Sequence, residues 1–145
     1  MKITFIAHSA FLVEWDKFYT LFDYVYEPDY TGTLPPLDPQ KPLLVFSSHS
    51  HEDHFDGKVF GLLEQYPLTQ FFVSRDTRLT ERRRKWLGIS DEAFARTTVL
   101  RPDSILLTEA AGEELSVRAI KSTDIGNAYL LRAEGKMVYH GGDLN

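Results

Sequence analysis

Apolar residues fall in short runs and alternations along the first third of the chain. Residues 2–7 and 10–15 are rich in Ile, Phe, Val and Trp and are separated by His8-Ser9, which predicts two strands. Residues 18–24 (FYTLFDY) form a third candidate. Pro28, Pro35, Pro36, Pro39 and Gly32 make residues 27–42 a loop, because proline removes a backbone donor and restricts the residue before it. Residues 43–46 are continuously apolar, as expected of a strand buried on both faces of a parallel sheet. Val59, Leu62, Leu63 and Tyr66 fall at i, i+3, i+4 and i+7, one stripe of a helix with Asp56 as its N-cap and Pro67 as its stop.

The remainder alternates the same signals. Residues 68–74 read as a strand, residues 76–87 as a helix ended by Gly88, and residues 91–95 as a short helix. Residues 97–100, 104–108, 114–121, 127–133 and 136–140 read as strands, with a hairpin signal at Gly135-Lys136. Strand–helix–strand units followed by hairpins predict a layered α/β or α+β domain with a mixed sheet, not a bundle.

A chain of 145 residues is one domain on the usual length scale. It holds no cysteine, which removes disulfides, thiolate ligands and thiol nucleophiles together. The net charge of −5 argues against a general nucleic-acid binder. No apolar run is long enough to cross a membrane, and His8 and Glu14 interrupt any signal-peptide core, so the expected location is the cytoplasm.

The chemistry concentrates in His49-Ser50-His51-Glu52-Asp53-His54, which leaves the apolar strand and leads into a helix. Three of the five histidines lie within these six residues. On an extended backbone residues two apart share a side, so His49 and His51 aim at one point. Asp53 and His54, past the strand end, aim at a neighbouring one. Neutral imidazole and carboxylate suit zinc, iron or manganese. Glu52 points elsewhere, to solvent or to a ligand histidine.

This segment resembles the first metal motif of the metallo-β-lactamase-fold hydrolases, His-any-His-any-Asp-His, at His49, His51, Asp53 and His54. Tyr139 to Asp143 resembles a later motif of the same family, an apolar strand ending in Gly-Asp, and residues 3–14 resemble the opening of its lactonase-like branch, which includes ascorbate-phosphate lactonase relatives. The resemblance implies an αββα sandwich, of which this sequence looks like the N-terminal part. It also implies two divalent metal ions, zinc first and manganese or iron next. His49 and His51 would hold one ion, Asp53 and His54 the other, and Asp143 would bridge them. The implied reaction is attack by a metal-bound hydroxide on an anionic or polarised ester, lactone or phosphoester. Asp53 or Asp143 would take up and return the proton, and His8 would contact a small-molecule substrate.

The pattern departs from the family where a third histidine is normally supplied to the first metal. Here Lys121 to Gly126 holds none, and Asp124 stands there either as an oxygen ligand or as a turn residue bonded to its own backbone. Asp23 closes a strand on what would be the same edge, and the role of His140 is open. The run Glu81 to Trp86 reads as a solvated helix face with Leu79, Trp86 and Leu87 turned inward; its alternative is a phosphate- or RNA-contacting patch, and with it a nuclease-like relative. A further alternative is a metal-binding chain that self-associates through apolar sheet surface which the rest of the family fold would cover.

Overall fold

The computed structural model describes residues 1–122 and 125–142. Among these, two sheets stack face to face. The first contains β1 (Lys2–Ala7), β2 (Ala10–Glu14), β3 (Tyr19–Phe22), β4 (Leu43–Ser47), β5 (Thr69–Ser74) and β6 (Thr97–Leu100), in that spatial order. β1, β2 and β3 are antiparallel neighbours, and β3 to β6 run parallel. The second sheet has the order β10 (Lys136–His140), β9 (Asn127–Ala133), β8 (Glu113–Lys121), β7 (Ser104–Ala110), all antiparallel. Two-residue turns with positive φ at both positions, Ala111-Gly112 and Glu134-Gly135, close its outer hairpins. The last of these sits one residue before the Gly135-Lys136 expected from the sequence.

Every residue of β4 is buried, as its unbroken apolar run requires. Leu43 and Val45 face the helices, packing with Val59, Leu63, Phe71 and Ile89. Leu44 and Phe46 face the second sheet, packing with Val117, Tyr129 and Leu131. Phe46 is stacked between Phe22 and Phe72, with centroids 5.2 and 4.8 Å away. The layers are therefore helices, first sheet, second sheet, a mixed α/β arrangement with the helices on one side.

The helices are shorter than their periodicity suggests. The stripe Val59, Leu62, Leu63, Tyr66 is buried as expected, but Gly57–Gly61 is 3-10 and only α1 (Leu62–Gln65) is α-helical. The glycines at both ends of that 3-10 turn weaken α-helix formation. Asp56 caps it, accepting from Lys58 N–H, and is not part of the histidine cluster. The helix expected over 76–87 splits. Arg75–Thr77 is a 3-10 turn, Arg78 turns left-handed at φ 53°, and Thr80 caps α2 (Glu81–Trp86) through Arg83 N–H. Trp86 is 80% exposed rather than inward, while Arg84 is buried. The reason is ionic: Arg84 pairs with Glu81 and Asp91 and donates to Ile89 O at 3.2 Å, which rotates α2 so that Trp86 faces water. The basic run is thus not one solvated face. α3 (Asp91–Ala95) forms where expected, capped by Ser90.

The two sheets are tied at both ends. Glu134, in the β9–β10 turn, accepts from the backbone N–H of Asp16 and Lys17 at 2.8 and 2.9 Å. At the opposite end Tyr129 Oη donates to Ser47 O at 2.8 Å and Asn127 Nδ2 donates to Leu100 O at 2.9 Å. Burial pushes the Tyr129 phenol far above its ordinary pKa, so it remains a donor. The outer face of the second sheet carries Ile105, Leu107, Met137 and Tyr139, all exposed. Among the described residues no helix covers it.

Candidate metal centre

The histidine segment begins where β4 ends. Asp23 follows β3, the parallel neighbour of β4, and is itself fully buried. Its backbone N–H bonds to Phe46 O at 2.9 Å, and its left-handed φ of 49° turns the carboxylate toward Ser48. Asp23 Oδ1 accepts from Ser48 N–H at 2.7 Å. Asp23 Oδ2 accepts from Ser48 Oγ at 2.7 Å and from His54 Nδ1 at 2.6 Å. Because the Ser48 hydroxyl gives its one proton to Asp23, its oxygen accepts from His49 Nδ1, 2.8 Å away. One buried carboxylate thus sets the tautomer of two imidazoles: both are protonated at Nδ1, and both offer Nε2 to the site. Carboxylate-to-histidine support of this kind is what orients metal-binding imidazoles.

His49 and His54 are buried, with ring centroids 3.9 Å apart, and His51 stands edge-on to His49 at 4.7 Å. Asp53 is the shared member. Ligand atoms of His49, His51 and Asp53 lie within 4.8 Å of one another, and so do those of His8, Asp53 and His54. Asp53 Oδ2 is 2.9 Å from His8 Nε2 and 3.3 Å from His54 Nε2. With His54 protonated at Nδ1, its Nε2 lone pair confronts a carboxylate oxygen, an arrangement that a cation or a proton reconciles. The donor set of neutral imidazoles around one carboxylate, with their far nitrogens already bonded, fits divalent first-row metals.

The electrostatics agree. Burial holds the His49 imidazole below the ordinary histidine pKa, and neighbouring His54 adds to this against a smaller opposing pull from Asp23. For Asp53, burial pushes the pKa up, but the hydrogen bond from His8 and the proximity of His54 outweigh it, so the carboxyl lies below its usual range. His49 is therefore neutral and Asp53 ionised, the states in which each binds metal.

The structure brings His8, His49, His51, Asp53 and His54 together. Glu52 is exposed and outside the cluster. His140 is elsewhere: it stacks on Phe22 at 4.9 Å, and its Nε2 donates to Ser9 O at 3.0 Å, pinning β10 to the β1–β2 turn. Asp124 and Asp143 lie outside the described residues. The flanking backbone reaches the cluster, since Asn127 N–H bonds Ser48 O at 2.7 Å and a Cβ on Gly142 would lie 3.2 Å from Ser48 Cβ. Gly126 is closer still. At φ 86°, a Cβ there would sit 2.2 Å from Ser48 O and 2.5 Å from His49 Cβ, so only glycine fits.

The roles of two residues are not legible in the sequence. Asp23 reads there only as a residue at the edge of the site; its role depends on a serine 25 residues away. Asp76 reads from the sequence as part of a helix, whereas its Oδ2 accepts from Ser50 N–H at 2.8 Å and its Oδ1 from Ser74 Oγ, bracing the loop between His49 and His51.

A two-sheet α/β fold with a histidine–aspartate cluster at the ends of its parallel strands defines the metallo-β-lactamase fold, and residues 2–145 match the beta-lactamase superfamily domain. The chain belongs to that superfamily. It is 29% identical over 153 residues to the UPF0173 metal-dependent hydrolase of Opitutus terrae, covering 99% of this chain and 63% of that protein. In fold it resembles Igni18, described as a novel metallo hydrolase from the archaeon Ignicoccus hospitalis, with a TM-score of 0.64 at 22% identity over 98% of this chain and 60% of the other. It also resembles a protein of unknown function from Enterococcus faecalis, with a TM-score of 0.58 at 17% identity over 97% of this chain and 41% of that one. The chain thus spans about three fifths of the first two relatives. The lactonase-like branch finds no separate support among these matches.

Two outcomes are expected at this centre. Because the His49 pKa is lower in the folded chain than in the unfolded one, the unfolded chain takes up the proton more readily. The stability His49 contributes is therefore complete above the unfolded value of about 6.5 and is lost as pH falls below it. The urea midpoint of metal-free protein should be level from pH 8 to pH 7 and decline toward pH 5, with a shallower decline in His49→Gln; a level midpoint throughout refutes this. Asp23→Asn should cost about 1–3 kcal/mol in thermal or urea unfolding, because buried donors then face an amide. It should also weaken zinc binding about 10–100-fold in a competition titration; unchanged zinc affinity would show that Asp23 does not orient the ligands.

Proposed function

We propose that this chain carries the metal-binding part of a hydrolase that cleaves small anionic or strongly polarised substrates, namely esters, lactones or phosphoesters. The observation that supports this reading most is the pair of donor groups sharing Asp53. His49 and His51 would hold one divalent ion and Asp53 and His54 a second. Asp143 would complete both, and Asp124 would stand in for the missing third histidine. Bound divalent ions supply Lewis acidity, lowering the pKa of water toward about 7 and polarising the substrate oxygen. Zinc is the first choice for three imidazoles, and an oxygen ligand at Asp124 would favour manganese or iron.

The protein groups do the rest. Asp23 and Ser48 keep Nε2 of His49 and His54 aimed at the centre and leave no rotational freedom to be lost when a ligand arrives. His8 is half-exposed at the rim, with Nε2 on Asp53 and its ring 4.9 Å from Tyr30, a position from which it would touch substrate. Asp53 would accept a proton at Oδ2 and pass it on to the leaving group, with His8 as its hydrogen-bonded neighbour.

A second reading rests on the outer face of the second sheet, where exposed Ile105 and Leu107 on β7 and Met137 and Tyr139 on β10 flank Leu130, Arg118, Ser116 and Arg132 of the two inner strands. It holds that two copies of this chain associate through that face.

Hydrolysis of a model lactone or phosphodiester by the zinc-loaded chain should vanish with a chelator and return with added metal. It should fall by at least about 100-fold in His51→Ala, more than loss of an orienting residue costs. Turnover indifferent to both treatments would reject the proposal. For the second reading, the chain should elute as a dimer at micromolar concentration and Leu107→Lys as a monomer; a monomeric parent chain would reject it.

A further inference from the structure

Beside the histidine cluster lies a cavity of about 850 Å³ whose walls carry Arg75, Arg78 and Arg83. Ser50, between the ligand histidines His49 and His51, forms its inner wall, and Gly126, packed against His49, forms another part. The cavity therefore adjoins the candidate metal centre directly.

Three arginines line this one recess, Arg75 and Arg78 exposed and Arg83 half-buried, so their positive charge collects on its walls. Of the other arginines, Arg84 binds Glu81 and Asp91 and Arg96 binds Glu92, while Arg82, Arg101, Arg118 and Arg132 show no carboxylate partner among the described residues. Among the described residues, Arg75, Arg78 and Arg83 have no such carboxylate partner. The one acid on the wall, Asp76, already has its two oxygens engaged by Ser50 N–H and Ser74 Oγ. Among the described residues of the wall, three positive charges stand against one negative, a balance of +2. Arg83 Nε is buried without a hydrogen-bond partner, an uncompensated cost of the ligand-free fold. Arg78 is held in the left-handed region at φ 53°, the break that separates the 3-10 turn from α2 and lets Arg75 and Arg83 line the same recess.

We infer that this recess is an anion subsite, in which Arg75, Arg78 and Arg83 bind a phosphate-like dianion on the substrate while the reacting bond lies over the histidine cluster. The inference deepens the hydrolase reading and rests on it for the word substrate; the anion site itself does not. Guanidinium groups present paired N–H donors that match the oxygens of a tetrahedral dianion, and several of them discriminate strongly against a monoanion. A substrate anchored this way would be a phosphorylated small molecule cleaved at a bond away from the phosphate.

The probe is inorganic phosphate, titrated calorimetrically into the chain at low ionic strength after its metal has been stripped and the chelator removed. Saturable binding is expected, weakening as sodium chloride is added. Arg75→Gln/Arg83→Gln should weaken it at least tenfold with an unchanged circular-dichroism spectrum, Arg83→Lys should weaken it less, and His51→Ala should leave it intact. Acetate should bind at least tenfold more weakly than phosphate. No saturable binding, binding unaffected by the double substitution, or acetate binding equal to phosphate would each overturn the anion subsite. Since the titration uses metal-free protein, failure of chelator-sensitive hydrolysis alone would remove the hydrolase reading and leave the phosphate site standing.

Discussion

The buried carboxylate of Asp23 is the point on which the centre's geometry turns. It accepts three hydrogen bonds within a buried junction, and through Ser48 it governs a second histidine as well as the one it touches. A carboxylate in such a place is tolerated only when both oxygens are hydrogen-bonded, and the fold supplies those bonds by construction. β3 and β4 are parallel with Phe22 beside Phe46, so the residues that follow them, Asp23 and Ser47-Ser48, leave the sheet side by side. The parallel register is thus the upstream cause of imidazole orientation.

The second sheet contributes by pressing backbone against this junction. Tyr129 and Asn127 anchor it to the ends of β4 and β6, and Gly126 brings the chain into van der Waals contact with His49. The core between the sheets is largely aromatic on the first-sheet side, with Phe22, Phe46 and Phe72 stacked across three strands. Small and branched residues, Val117, Ala119, Leu131 and Ala133, face them from the second. That complementarity fixes the distance between layers and hence how closely the β8–β9 turn approaches the cluster.

Much of this was legible in the sequence because the signals are local. The unbroken run of β4, the alternation of β8 and β9, and the three histidines at fixed offsets each state their own meaning within a few residues. What was not legible depends on partners far apart in the chain. Nothing near Asp23 announces Ser48 and His54, and nothing near Asp76 announces Ser50. Trp86 was assigned inward by its apolar character, yet Arg84 took the buried place because Asp91, on the next helix, neutralises it. The split of the expected 76–87 helix has the same origin: Asp76 is worth more as a brace to Ser50 than as the start of a helix.

The hydrogen-bond chain from His49 through Ser48 to Asp23 and on to His54 runs entirely through protein groups. Side chains fixed in this way would meet an incoming ion already oriented, unlike the ligands of small zinc domains, in which acquisition and folding are one event. Loading would then be a capture step, and the cation captured would be set by its fit to a rigid cage and its availability in the surroundings.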